Sequence, residues 1–67
     1  MLLIRDIRGD LVATGDQETG TVESKHGDRS MRVVLTEGQE VTLARKGTVT
    51  NVTRSHGDFV INRQFAP

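Results

Sequence analysis

The stretch Met31-Arg32-Val33-Val34-Leu35-Thr36-Glu37-Gly38-Gln39-Glu40-Val41-Thr42-Leu43-Ala44 decides the fold class. Alternate side chains of an extended strand point to opposite faces, so Met31, Val33 and Leu35 share one side. Val41 and Leu43 do the same in the second run, with Thr42 opposite. Glu37-Gly38 between them is a reversal signal. The stretch predicts a hairpin of strands 30–36 and 39–44, with Val33, Leu35, Val41 and Leu43 facing inward.

The same grammar extends over the rest of the chain. Glycines at 9, 15, 20, 27, 38, 47 and 57 leave no intervening stretch longer than ten residues. A helix of the usual ~11–12 residues has no uninterrupted room. Eight Val and eight Thr, β-branched residues suited to a pleated surface, fill the segments between them. Strands are predicted near 2–7, 10–14, 20–25, 30–36, 39–44, 48–54 and 58–63. Val49 and Val52 have opposite parity, which requires a bulge there or burial on both faces. Phe59, Ile61 and Phe65 share a parity that assigns them to the core. Gly20-Thr21-Val22 with His26-Gly27-Asp28 is echoed by Gly47-Thr48-Val49 with His56-Gly57-Asp58. The expectation is one all-β domain, residues 1–67: a small barrel (OB- or SH3-like) or a compact antiparallel sandwich of six to seven short strands.

Size and charge bound the rest. A core of 67 residues without cysteine has no disulfide or thiolate-metal staple. Self-association is the remaining way to cover more apolar surface, so a homo-oligomer is expected, with Leu2, Leu3, Ile4, Phe59, Ile61 and Phe65 contributing. Met1-Leu2-Leu3-Ile4 is interrupted by Arg5 and Asp6, too short for a signal core or a membrane span, which points to a cytoplasmic chain and no membrane partner. Nine basic and nine acidic side chains cancel, but residues 41–67 hold four basic against one acidic.

Several motifs carry little chemistry. Ser55-His56-Gly57-Asp58 contains the residue types of a hydrolase triad, but triads draw them from separate chain regions. A turn is the better reading, and no catalytic residue is expected. His26 and His56 could pair on a metal only with a third ligand, such as Asp28 or Asp58, so no metal or other cofactor is expected. Gly15 to Thr21 has the glycine spacing of a phosphate loop without its lysine. Arg8-Gly9-Asp10 and the sequon Asn51-Val52-Thr53 would matter only in an extracellular protein.

Basic residues leave nucleic-acid binding as the leading function. Arg29, Arg32, Arg45, Lys46 and Arg54 are the candidate contacts, acting mainly on phosphates. Arg45, Lys46 and Arg54 are expected near one another, since the turn at 45–47 feeds the strand that carries Arg54. Single-strand binders usually stack bases on aromatic side chains, and only Phe59 and Phe65 are present. A self-assembling structural or protein-interaction module is the alternative.

Two family resemblances point the same way. Gly20-Thr21-Val22 and Met31 to Val41 resemble the central strands of bacterial translation initiation factor one. This resemblance covers about a third of the chain and implies a five-stranded OB barrel that binds ribosomal RNA; the family's helical segment and basic surplus are missing. Ala44-Arg45-Lys46-Gly47 and Ser55-His56-Gly57-Asp58 are similar to turn elements of the tryptophan-activated RNA-binding attenuation protein family, a ring-forming β-sandwich. Both imply RNA as partner.

Overall fold

A computed structural model describes all 67 residues. Seven antiparallel strands follow one another: β1 Leu2–Arg5, β2 Leu11–Asp16, β3 Thr21–His26, β4 Arg29–Val34, β5 Glu40–Arg45, β6 Thr48–Ser55 and β7 Asp58–Phe65. Strands β1 to β4 form one sheet and β5 to β7 a second, each paired in chain order. This is a meander folded into two layers. No strand returns beside a non-consecutive one, as it would in the Greek key of an OB barrel.

The predicted hairpin 30–36/39–44 is the principal correction. Its arms keep their inward faces, with Leu35 and Leu43 buried and Val33 and Val41 packed against the core. They do not pair with each other. Backbone N–H of Leu35 donates to Gly20 O (2.9 Å), whereas Gly38 N donates to Arg54 O (2.8 Å) and Arg54 N to Gln39 O (2.9 Å). Each arm is thus claimed by a different sheet. Thr36 and Gln39 close the link locally, through Gln39 N to Thr36 O and Thr36 N to Gln39 Oε1. Alternation fixes which face is buried, but not which strand lies alongside.

The core joins Ile4, Val12, Ala13 and Val22 of the first sheet to Leu43, Val52 and Phe59 of the second, with Leu35 from the link. Ile4 pairs with Ala13 and Arg5 with Leu11, so Val12 is an extra residue in β2. This bulge explains why consecutive Val12 and Ala13 are both buried. β6 itself has no bulge: it is central in its sheet, with Val52 fully buried and Val49 half-buried on the other face. Gly15 is required by packing, because a Cβ there would meet the Phe59 ring at 2.8 Å. Phe65, in contrast, is 58% exposed and outside the core. No helix is long and apolar enough to cross a membrane.

Candidate nucleic-acid interface

A meander sends alternate turns to opposite ends. The turns at 6–10, 27–28 and 46–47 and the C-terminus share one end; those at 17–20, 35–39 and 56–57 share the other. Charge follows this division. The first end carries Arg5, Arg8, Lys25, Arg29, Arg45, Lys46 and Arg63 against Asp6, Asp10 and Asp28, a surplus of four positive charges. The second carries Asp16, Glu18, Glu37, Glu40 and Asp58 against Arg54, a surplus of four negative charges. Arg32 and Glu23 lie between them and form the only ion pair, 3.6 Å, on the exposed outer face. The molecule has no net charge yet is strongly polarised along its strands.

Of the five predicted contacts, Arg29, Arg45 and Lys46 meet at the basic end. Arg32 does not: it is mid-strand and paired with Glu23. Arg54 is also apart. Arg45 lies opposite Thr48, and Arg54 is six residues further along β6, about 20 Å away at ~3.3 Å per residue. The expected Arg45–Lys46–Arg54 cluster fails because the hairpin carries its two ends in opposite directions. Arg54 is half-buried, with its guanidinium 5.2 Å from the Phe59 ring centre. There it serves the acidic end. Its charge helps lower the Glu37 and Asp58 carboxyls, after the larger effects of the His56 backbone N–H on Glu37 and the Gln17 amide on Asp58.

Arg45 is the centre of the basic end. It is half-buried at the junction of two clefts, of about 290 and 230 Å³, both also lined by His26. Its Nη2 donates to Ser24 Oγ and its Nη1 to Ala44 O. Ser24 is buried and donates to Val12 O at 2.7 Å, so the hydroxyl is locked before it receives the guanidinium. Two of the five guanidinium N–H groups are engaged and three remain, with no carboxylate partner. Arg29 stands directly across the β3–β4 ladder from His26, and Lys46 and Lys25 border the smaller cleft.

In the sequence Arg8 figures only in the tripeptide Arg8-Gly9-Asp10 and not among the phosphate contacts, and Asp6 is the reason it belongs here. Asp6 ends β1 by accepting backbone N–H bonds from Arg8 (2.9 Å) and Asp10 (3.0 Å) and the Thr48 hydroxyl (3.2 Å). That fixes the turn so that Arg8 lies over Gly47 and within 5.9 Å of the Phe65 ring centre. The pattern Asp-Ile-Arg-Gly-Asp, a carboxylate two residues before a backbone donor, was the available signal.

The remaining motifs fall into structural places. His26 and His56 stand at opposite ends of the sandwich. The Ser55 hydroxyl and His56 Nδ1 are 3.0 Å apart, but the Asp58 carboxylate is taken by Gln17 Nε2 (2.7 Å) and Phe59 N (2.8 Å). The three groups make no relay. Both His-Gly-Asp triplets lie at tight two-residue hairpins, with different loop residues: Gly27-Asp28 in one, His56-Gly57 in the other. His56 and Gly57 both have positive φ, the signature of a type I′ turn.

No family model, no curated protein and no solved structure matches the chain.

Proposed function

We propose that this chain is a non-catalytic RNA-binding module that contacts phosphates through its basic end. The observation that carries the reading is Arg45: a guanidinium held in place by Ser24 and Ala44, without an ion-pair partner, among six further basic side chains. Fixed, unneutralised Arg forks suit phosphate oxygens, and the surrounding charge raises the local concentration of a polyanion. The acidic opposite end repels the same polymer and orients its approach.

Filter binding of the wild-type chain and of Arg45→Ala/Lys46→Ala at two salt concentrations tests the reading. Wild type should retain RNA at low salt, and the double variant should lose affinity and reduce the salt slope by about two units, one per phosphate contact. Absence of any wild-type binding at low salt would reject it.

The second reading is self-association into a homo-oligomer. It is favoured by exposed Leu3, Val34, Val60 and Phe65, and by the absence of any backbone ladder joining β4 to β5 or β1 to β7. Unpaired edges are templates for another chain. Sedimentation at high micromolar concentration decides: a monomer rejects assembly, and an oligomer is compatible with RNA binding as well.

A further inference from the structure

We infer that Phe65 is a stacking platform for an unpaired base, so that the RNA ligand is single-stranded. The inference rests on the RNA-binding reading above and adds to it the class of RNA.

Phe65 has the parity of Phe59 and Ile61, which pack in or against the core, yet it is 58% exposed at the last residue of edge strand β7. It is held there from two sides. Ala66 N donates to Gly47 O at 2.8 Å, tying the end of β7 to the Lys46-Gly47 turn. Arg8, oriented by the Asp6 turn, reaches over Gly47 to the ring, 5.9 Å from its centre. An exposed ring in a fixed position therefore stands beside Arg8 and next to the turn that carries Lys46. Through the ladder pairs Arg45–Thr48 and Thr48–Phe65, Arg45 lies in the same row of the sheet, two strand spacings or about 10 Å from Phe65. A phosphate on Arg45 and a base on Phe65 would belong to neighbouring nucleotides of one strand. Aromatic platforms beside phosphate-binding cations are how proteins hold single strands, and bases stacked inside a duplex cannot reach such a ring. Phe59 is unsuited to the role, being only 9% exposed and packed against Gly15.

The test compares fluorescence anisotropy of a labelled mixed-sequence oligoribonucleotide with that of its perfect duplex, for wild type, Phe65→Leu and Phe65→Trp. Wild type should prefer the single strand. Phe65→Leu should lose about tenfold in single-strand affinity with the salt slope unchanged, because stacking releases no counterions. Phe65→Trp should retain affinity, and its emission should change on binding. Equal affinity of wild type and Phe65→Leu for the single strand would overturn the inference and leave phosphate binding standing. So would a loss in Phe65→Leu accompanied by an altered sedimentation coefficient, which would assign the ring to self-association. If wild type bound neither RNA at low salt, the RNA-binding reading and this inference would fall together.

Discussion

The Thr48 hydroxyl donates to Asp6 Oδ2 across the two sheets, and this bond anchors the β1–β2 turn to the start of β6. Asp6 is only 5% exposed, and burial by itself raises its carboxyl pKa. The N–H groups of Asp10 and Arg8, the Thr48 hydroxyl and the Arg8 charge outweigh that effect and hold the group below its ordinary 3.8.

A carboxyl lowered on folding stabilises the native state above its unfolded pKa, and that stability disappears as pH falls through the folded value. Glu37 and Asp58 are lowered as well. The melting temperature should therefore stay level from neutral pH to about 5 and decline once pH drops below the ordinary range of 3.8 to 4.5. Asp6→Asn should melt lower at pH 7 and show a shallower acid decline. Thr48→Val should cost about 1–2 kcal/mol, since it leaves a buried acceptor short of a donor. Thermal unfolding from pH 7 to 3 checks all three, and an unchanged acid limb in Asp6→Asn would contradict the role given to Asp6.

The link between the sheets should be sensitive at two positions. Gly20 has φ +80°, and a Cβ there would collide with the Leu35 carbonyl oxygen, the acceptor side of a segment with little freedom to move. Gly27 also has positive φ (+66°) but faces open space. Gly20→Ala should thus cost distinctly more than the roughly 1–2 kcal/mol expected of Gly27→Ala from backbone conformation alone. Leu35→Ala, which empties a site only 4% exposed, should cost about 2–5 kcal/mol. Denaturant titration of the three variants gives the ranking. Equal costs at the two glycines would show that the link at Leu35 can shift.

Much of this was legible in the chain and some was not, for definable reasons. Glycine punctuation and alternation locate all seven strands, because turn conformations and one-sided burial are local demands. Strand partners are not local. Nothing within residues 30–44 distinguishes a hairpin from a crossover, since both need inward Leu35 and Leu43; Gly20 and Arg54 decide it from a distance. Charge was misread for a related reason. Dividing the chain at residue 40 mixes the two ends, whereas alternate turns separate them. Arg8 and Lys46 directly precede Gly9 and Gly47 and Lys25 lies two residues before Gly27, with Asp10 and Asp28 on the far side of two of these glycines. Glu37 and Asp58, in contrast, adjoin Gly38 and Gly57, and Glu18 lies two residues before Gly20. The polarity was present in the sequence and visible only under a meander.

Arg54 provides a direct test of that polarity. It is about 20 Å from Arg45 and surrounded by the acidic end, so it should take no part in RNA binding. Arg54→Ala should lower stability, through loss of its packing over Phe59, while leaving RNA affinity within about twofold of wild type and the salt slope unchanged. A loss of affinity comparable to that of Arg45→Ala, in a variant still folded by circular dichroism, would mean that the RNA path runs along the strands and not across the basic end.

Ser24 separates charge from its positioning. Its hydroxyl receives Arg45 and is itself fixed on Val12 O, so Ser24→Ala keeps the charge but frees the guanidinium to sample other rotamers. Binding should weaken several-fold as that rotamer freedom is lost on each association. The number of phosphates neutralised is unaltered, so the salt slope should match that of wild type, in contrast to the reduced slope of Arg45→Ala. Stability should fall by about 1–2 kcal/mol as well, because the buried Val12 carbonyl is left without its donor. The two effects part at high protein concentration and low temperature, where the variant is fully folded and only the binding deficit persists. A Ser24→Ala chain with wild-type affinity under those conditions would mean that Arg45 finds phosphate without being held for it.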